Sequence, residues 1–372
     1  MLVTRTGVGK LAIAPCDIAI SQDITGIYVD EKQADTVFLF HRMRQGVEDL
    51  KKLNQGTSIN GIIRSDLVSY PVKLPPLPQQ RRIAEILSTL DEAIEQTEAL
   101  IAKMQQVKAG LMHDLFTRGV TPDGRLRPTR EQDPDLYKES PLGWIPKEWE
   151  TKPIASISES LIDGPFGSNL KSEHYVVEPG VRVVRLQNIQ EGYYNDGDPV
   201  FISQRHADYL SRNAVTPGDV LIAALGDENY PVGRSCCYST DLPPAINKAD
   251  CFRLRCLPAL ALNAYVMHFL NTATARNQVK RYEQGVTRRR TNLGNFRRVV
   301  VALPRIVEQE IIIQRLVIAN EQVETAKLHV EKLHQQKHGL MHDLLTGRVL
   351  VPVVNAKGVS ITSVPFSFEV NS

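Results

Sequence analysis

Gly110-Leu111-Met112-His113-Asp114-Leu115 occurs a second time as Gly339-Leu340-Met341-His342-Asp343-Leu344. The offset of 229 residues, from 110 to 339, also aligns Leu74-Pro75 with Leu303-Pro304, Gln80 with Gln309, Lys108 with Lys337, and Gln55-Gly56 with Gln284-Gly285. A register held without a gap over so long a stretch indicates an internal duplication.

Each copy contains a heptad pattern of apolar residues over four to five heptads, which predicts one long helix. The seam of the first helix is Ile83, Leu87, Leu90, Ile94, Ile101, Met104, Leu111 and Leu115; that of the second is Ile312, Leu316, Val323, Val330, Leu333, Leu340 and Leu344. About 37 residues at 1.5 Å each give a rod of roughly 55 Å. We expect the helices to pack on each other; the alternative is separate packing of each on its own domain.

Lys108 and Lys337 occupy the same position of the two seams, and we expect them to set the register of the pair. Pro78 at the start of the first helix and Gly119 after its end are ordinary boundary signals.

The composition of the 372 residues is that of an ordinary globular protein, with 42% apolar and 23% charged residues. This excludes a wholly disordered chain, and no apolar run approaches the roughly 18 residues of a membrane span. The net charge is only +2, so any nucleic-acid site must be a local patch. The five cysteines lack zinc-site spacing, which favours packed thiols in a reducing cytoplasm.

The region between the two long helices has a different sequence pattern. Residues 119–143 are rich in Pro and Gly and predict an irregular linker, whereas 181–186, 219–224 and 298–303 read as strands and 264–282 as a helix. This predicts an α+β domain of about 160 residues. The 73 residues before Leu74 align only with its later part, and the chain starts inside a predicted strand, Met1-Leu2-Val3-Thr4. We expect residues 1–73 to be less stable than 144–305 and to expose apolar side chains.

Several of these segments resemble the specificity subunits of type I restriction–modification systems. The resemblance rests on Leu74-Pro75-Pro76-Leu77-Pro78-Gln79-Gln80, Leu111-Met112-His113-Asp114-Leu115-Phe116-Thr117, Gly143-Trp144-Ile145-Pro146-Lys147-Glu148-Trp149-Glu150, Asp163-Gly164-Pro165-Phe166-Gly167-Ser168 and Pro217-Gly218-Asp219-Val220-Leu221. It implies mixed α/β target-recognition domains separated by two long helices that form an antiparallel coiled coil. The expected divisions are a partial first recognition domain (1–75), the first spacer helix (76–118), a linker (119–143), a complete second recognition domain (144–305), the second spacer helix (306–346) and a tail (347–372).

The resemblance also implies a function and partners. Each recognition domain would read half of a bipartite site in double-stranded DNA, and the helices would dock methyltransferase subunits, which hold restriction subunits. A second specificity chain is a further candidate partner. S-adenosylmethionine, ATP and Mg would be used by the partner subunits, with no cofactor or metal held by this chain.

Candidate DNA contacts come from a run of basic residues. Positions 276–305 contain nine, namely Arg276, Lys280, Arg281, Arg288, Arg289, Arg290, Arg297, Arg298 and Arg305, against one acid, Glu283. Arginine forks match phosphates and the guanine edge, so the triplet Arg288, Arg289 and Arg290, on a loop after Gly285, is the leading candidate. Arg297 and Arg298 are further candidates, and so are Lys171, Gln187 and Asn188. The two amides could read adenine or could bond the ends of strands.

Catalytic motifs are incomplete. Asp241-Leu242-Pro243-Pro244-Ala245 lacks the aromatic residue of an amine methyltransferase loop, and Gly7-Val8-Gly9-Lys10 lacks the first glycine and the Ser/Thr of a phosphate loop. His334, His338 and His342 share a helix face off the seam, where we expect no acidic ligand nearby. We therefore expect a non-catalytic, cytoplasmic DNA-recognition subunit. The alternative is a truncated coiled-coil scaffold, regulator or inactive remnant that no longer reads DNA.

Overall fold

The computed structural model describes residues 1–3, 9–53, 62, 64–165, 167–177, 179–354 and 360–361. Thr4, Gln55-Gly56, Phe166 and the Gly7-Val8 part of the phosphate-loop candidate lie outside these residues. The chain divides into two compact units, one formed by Met1–Lys103 and Val323–Ser372 and the other by Met104–Gln322, called unit 1 and unit 2. No helix in the described ranges is both long and apolar enough to cross a membrane.

The regular elements are numbered in chain order. The helices are α1 Thr36–Leu53, α2 Arg64–Ser69, α3 Leu77–Thr117, α4 Ile154–Ile157, α5 Gln204–Tyr209, α6 Asn263–Leu270, α7 Ala273–Lys280, α8 Leu293–Phe296 and α9 Ile306–Leu345. The strands are β1 Leu2–Val3, β2 Ile24–Thr25, β3 Tyr137–Ser140, β4 Gly143–Pro146, β5 Glu150–Pro153, β6 Ser158–Asp163, β7 Tyr175–Val176, β8 Val181–Val184, β9 Phe201–Ile202, β10 Ala214–Val215, β11 Val220–Ala223, β12 Leu225–Gly226, β13 Ser235–Cys237, β14 Ala245–Asn247, β15 Cys251–Cys256, β16 Arg289–Arg290, β17 Val300–Leu303, β18 Val353–Val354 and β19 Ser360–Ile361.

The two long helices, α3 and α9, are antiparallel in each unit. In unit 1, Ile83 and Leu87 near the start of α3 share a cluster with Leu344 at the end of α9. In unit 2, Leu115 near the end of α3 clusters with Ile312 and Leu316 near the start of α9. The antiparallel arrangement implied by the resemblance is therefore confirmed. At 41 and 40 residues the helices are about 60 Å long.

The seam residues form the inner face of this helix pair. Every seam position is buried or partly buried, while most positions between them are exposed. Lys337, on the seam, is buried and forms an ion pair with Asp91 of α3 in unit 1. The ammonium group of this lysine is therefore compensated by a carboxylate from the partner helix, as a buried charge requires.

The duplication is visible as the same hydrogen-bonded glutamine at the start of each long helix. The side-chain amide oxygen of Gln80 accepts a hydrogen bond from a backbone N–H at 2.8 Å, and that of Gln309 accepts one at 2.9 Å. The amide nitrogen donates to the carbonyl two residues before that N–H, and to the carbonyl of the Leu-Pro proline. The bonded residues are Asp35, Gln33 and Pro75 around Gln80, and Leu262, Leu260 and Pro304 around Gln309.

Unit 1 has a small core outside the helices. Leu2, from the β1–β2 pair, packs with Met43 and Val47 of α1 and with Ile62. Apolar side chains between β1 and α1 are exposed to solvent, among them Ile13, Ile18, Ile20 and Tyr28. The expected strand at Met1-Leu2-Val3-Thr4 is found at Leu2–Val3.

Unit 2 is built on two sheets that share a core. A four-stranded antiparallel sheet has the order β13-β11-β15-β6, and a five-stranded mixed sheet has the order β10-β14-β8-β9-β7, with β14 and β8 parallel. Leu221 and Ala223 of β11 face Val184 of β8 between the sheets. Val220 and Ile222 point the other way, into a core with α6 and the ends of α3 and α9. Both faces of β11 are thus buried, as its unbroken apolar run suggests.

Two expectations about unit 2 were wrong. The linker 119–143 is not wholly irregular, because β3 forms an antiparallel hairpin with β4 across the 143–144 boundary. The preceding segment is fixed to it, since the Tyr137 hydroxyl donates to the Pro128 carbonyl and Arg130 stacks on Trp144 at 3.7 Å. The helix expected at 264–282 is two helices, because Thr272 caps α7 and interrupts the run.

Candidate nucleic-acid interface

Loops from both sheets of unit 2 meet around one buried arginine, Arg234. Its guanidinium donates to the carbonyls of Ile189 at 2.8 Å and Leu186 at 3.1 Å, which follow β8. It also donates to Leu225 at 3.2 Å and Tyr230 at 3.1 Å, in and after β12. With the Pro231 carbonyl at 3.3 Å, five carbonyls from two chain segments accept hydrogen bonds from this one side chain. The surface that these loops form, with residues 164–165, 167–175, 247–250 and 283–290, is called the loop edge.

A short hairpin carries the arginine triplet on the loop edge. Gln284 and Arg290 exchange two backbone hydrogen bonds of 2.9 Å, and Arg289–Arg290 pair with β12. Gly285 opens the turn with φ +98°, and its missing Cβ would lie 2.4 Å from the Arg288 carbonyl. Only glycine fits this position, so the sequence signal at Gly285 has a structural cause. Arg289 and Arg290 form a strand rather than the exposed loop expected for the triplet.

Most of the acids that balance this cluster come from outside the basic run, and only Glu283 lies within it. Arg289 lies 3.9 Å from Glu228 and 3.7 Å from Glu283, and Arg290 lies 2.8 Å from Asp250. Arg276, counted in the same basic run, is mostly buried and lies 3.2 Å from Glu191. The interpretation of a run without balancing carboxylates was therefore wrong, because the fold brings distant acids to it.

Arg288 differs from its two neighbours. It is exposed, and within the described residues it has no acidic partner. Arg297 and Arg298 are also exposed, but they follow α8 outside the hairpin, where Arg297 contacts the Leu161 carbonyl at 3.5 Å. The structure thus leaves Arg288 as the arginine of the triplet whose whole guanidinium is open to an anion.

The candidates on the neighbouring loops have different environments. Lys171 is exposed, with its ammonium 3.6 Å from Glu173. Gln187 is exposed and donates to Asp198 at 2.9 Å. Asn188, in contrast, is only 3% exposed, and its amide accepts from the Arg185 N–H and donates to the Asn195 carbonyl, both at 2.8 Å. Its assignment to DNA is wrong, because both ends of the amide are used to fix the loop.

Sequence reasoning missed three residues of the loop edge. Arg234 follows Gly233 without any motif, Lys248 donates to the Tyr175 hydroxyl at 2.6 Å, and Asp250 holds Arg290. These partners are far apart in the chain, so no local pattern could have paired them.

Two buried thiols of unit 2 and the histidines of α9 are the remaining groups with chemical potential. Burial raises the pKa of the Cys251 and Cys256 thiols to about 12, so these groups stay protonated and unreactive at neutral pH. His334, expected to have no acid nearby, lies 3.5 Å from Glu98, which corrects that expectation. Even so, no three His, Cys, Asp or Glu side chains gather as a metal site in the part of the chain that is described.

Comparisons with known proteins agree with the duplication and the fold. Residues 1–106 match the type I restriction modification DNA specificity domain. The chain is 23% identical over 340 residues to the type I restriction enzyme MjaVIII specificity subunit of Methanocaldococcus jannaschii, covering 90% of this chain and 75% of that one. It is 22% identical to the EcoBI specificity subunit of Escherichia coli, covering 80% of this chain and 61% of that one.

Solved structures share the fold. A chain from a type I R-M system, solved to explain complex assembly and conformational transition, superposes with a TM-score of 0.53 at 18% identity, covering 87% of this chain and 74% of that one. The type I restriction-modification S subunit of M. genitalium superposes with a TM-score of 0.52 at 17% identity, covering 85% and 74%. The resemblance to this family, first stated on sequence motifs, is confirmed.

Proposed function

We propose that this chain, which is similar over most of its length to type I restriction enzyme specificity subunits, is the DNA-recognition subunit of such a complex. In this role the loop edge of unit 2 contacts double-stranded DNA and reads one half of a bipartite site. The chain itself carries out no chemical step.

The observation that carries the proposal is the exposed Arg288, which has no acidic partner in the described part of the chain and lies on a hydrogen-bonded hairpin. A guanidinium without an internal acid is free to replace the counterions of a DNA phosphate. The backbone bonds between Gln284 and Arg290 fix the hairpin before any DNA arrives. Lys171, on another loop of the same edge, adds a second exposed cation. The Lys171 ammonium also lies 3.6 Å from Glu173, so Arg288 is the stronger of the two candidates for a phosphate contact.

The helix pair α3–α9 supplies the second part of the proposal. Its outer face is solvent-exposed over most positions, so it is available for methyltransferase subunits and, through them, restriction subunits. S-adenosylmethionine, ATP and Mg would be bound by those partners. A second specificity chain would supply another half-site reader. The unpaired cysteines are compatible with the reducing cytoplasm, where we place the complex.

Binding of the full chain to duplex DNA at increasing salt concentrations tests the DNA-binding proposal. We expect log Kobs to fall linearly with log salt, and Arg288→Ala to reduce the slope by about 0.9 for a lost phosphate contact. Neutralising Arg288, Arg289 and Arg290 together should reduce it further. Selection of bound duplexes from a random pool, with the methyltransferase present, then tests whether one half-site is preferred.

Arg125→Ala is the matched control, since this arginine is 87% exposed in unit 2 but outside the loop edge. It should leave the slope unchanged. Equal slopes for Arg125→Ala and Arg288→Ala would contradict the placement of DNA on the hairpin. Steep salt dependence with no preferred sequence would favour the alternative, a coiled-coil scaffold or regulator that no longer reads DNA.

A further inference from the structure

We infer that Arg290 and Asp250 form a guanine-reading unit, in which Asp250 holds the Arg290 guanidinium in a fixed direction toward the major-groove edge of the base. The inference rests on the proposed DNA-binding function and adds a division of labour within the arginine triplet. Arg288 binds backbone phosphate, Arg289 is neutralised inside the protein, and Arg290 reads a base.

The first observation is the contrast in partners and exposure. Arg289 has two acids within 4 Å, so its charge is compensated on the protein. Arg290 has one, with its Nη2 atom 2.8 Å from Asp250 Oδ1, and its side chain remains 56% exposed. Asp250 is 23% exposed, so the acid of this pair is more buried than the arginine. The Arg290 side chain is therefore held by one acid and is still partly open to a ligand.

The second observation is the backbone at Asp250. Among the described residues it is the one non-glycine residue with positive φ, at +66°. This residue completes the tight turn between β14 and β15, where the Cys251 N–H donates to the Lys248 carbonyl at 3.3 Å. Glycine is the usual residue at such a position, and an aspartate there costs conformational energy. Strain of this kind is typical of a functional site, and here the carboxylate serves Arg290.

The third observation is that one residue holds both partners. The Ala224 N–H donates to the Asp250 carbonyl at 2.8 Å, and the Ala224 carbonyl accepts from Thr291, next to Arg290, at 3.0 Å. Arg290 itself pairs with Leu225 across β12 and β16. The turn at Asp250 also packs closely against the backbone of Gly164, because a Cβ on Gly164 would lie 1.9 Å from the Lys248 carbonyl oxygen. The ion pair is thus held between a fixed turn, at Asp250, and a strand, at Arg290.

These features match the chemistry of guanine. The O6 and N7 atoms of guanine accept a bidentate pair of hydrogen bonds from one arginine fork, which is the commonest specific contact between proteins and DNA. A flexible cation binds phosphates equally well in any sequence, whereas a fork with a fixed direction discriminates between bases. Arg288 fits the first description and Arg290 the second.

Selection of duplexes bound by the full chain, followed by affinities for the selected site and for the same site with guanine replaced at one position, tests the inference. We expect the unchanged chain to require guanine at one position, by roughly 10-fold to 100-fold. Arg290→Lys keeps the charge and removes the fork, and should abolish this preference while changing the affinity for unrelated duplex less than about threefold. Asp250→Asn keeps a side chain that tolerates positive φ, and should weaken the preference.

Arg288→Ala is the control, and should weaken all duplexes by the same factor and leave the preference intact. Unchanged fluorescence and unfolding midpoints of the variants, followed through Trp144 and Trp149, establish that unit 2 remains folded. The inference is overturned if Arg290→Lys retains the full guanine preference, if Asp250→Asn has none of the expected effect, or if the selected site contains no guanine. Absence of any duplex binding by the unchanged chain would refute the proposed function itself.

Discussion

Replacing Glu308 by alanine should destabilise unit 2 more than any exposed substitution of the same size. Glu308 is in the first turn of α9, and its side chain is 11% exposed. Its carboxylate accepts from both terminal nitrogens of Arg127, with Nη2 at 3.0 Å, from the Trp149 indole at 3.2 Å and from the Val120 N–H at 2.9 Å. One side chain thus satisfies donors from three segments of the unit.

The magnitude follows from what the substitution leaves behind. Arg127 is 7% exposed, and its remaining acid, Glu148 at 3.3 Å, is itself well exposed. Removal of one partner of a buried ion pair costs about 3–5 kcal/mol, because the other charge stays buried without compensation. The indole and the Val120 N–H lose their acceptor as well. We expect Glu308→Ala to lower the free energy of unfolding of unit 2 by about 4 kcal/mol.

Urea unfolding followed by tryptophan fluorescence measures this, since Trp144 and Trp149 are the two tryptophans and both lie in unit 2. Glu310→Ala, two residues further along α9 at an exposed position, is the matched control and should change stability by less than about 0.5 kcal/mol. Arg127→Met combined with Glu308→Ala should cost less than the sum of the single changes, since neither charge is then left alone. A loss below about 1 kcal/mol for Glu308→Ala, or strict additivity in the double variant, would refute the reasoning.

Three further predictions follow from other parts of the fold. Gly119→Ala should lower the free energy of unfolding in urea by at least about 3 kcal/mol, because φ is +65° and the new Cβ would lie 2.2 Å from Glu308 Oε1. The control Gly143→Ala, with φ +90° and open space around the new Cβ, should cost only about 1 kcal/mol. Equal losses for the two variants would contradict the steric argument. Leu87→Asp should abolish the pairing of α3 and α9 in unit 1, seen as lost helicity and protease resistance, whereas the half-exposed Leu100→Asp should not. Burial, with a smaller contribution from Lys108, lowers the pKa of His268 to about 4 in the folded chain. As the pH falls, the unfolded chain therefore binds the proton first, and the free energy of unfolding decreases between about pH 6.5 and pH 4 by up to roughly 3 kcal/mol. His268→Gln should flatten the pH dependence of the unfolding midpoint in that range, and an unchanged profile would assign the acid sensitivity to other groups.

The helix pair could be predicted because its information is local. Heptad spacing places Leu87 and Ile94 on one helix face whatever the rest of the chain does. The offset of 229 residues likewise identified Gln80 and Gln309 as equivalent, and the structure gives them the same pattern of three hydrogen bonds to the backbone. The boundaries of the 119–143 segment were harder to predict from the sequence, because β3 depends on a hairpin with β4 rather than on its own composition.

The candidate site was predicted in outline and changed in detail. A run of arginines after Gly285 was sufficient to indicate an anion-binding surface. It could not indicate which arginine is free, since Asp250 and Glu228 reach the hairpin from other strands and loops. The same limit applies to Asn188, whose amide is exposed or buried according to how the loop to Asn195 closes.

The sequence by itself determined the duplication, the two long helices, their seam and the position of the basic segment after Gly285. Each of these depends on the spacing of residues within a few helical turns, on local composition or on repetition of the same amino-acid sequence. Only the tertiary structure decided the antiparallel contacts within each unit, the Arg127–Glu308 pair and the Asp250–Arg290 pair. The Arg127–Glu308 pair joins residues 181 positions apart in the chain, and the Lys337–Asp91 pair joins residues 246 positions apart. Charges at such separations meet only after the sheets have packed, so their pairing is a property of the fold and has no local signature.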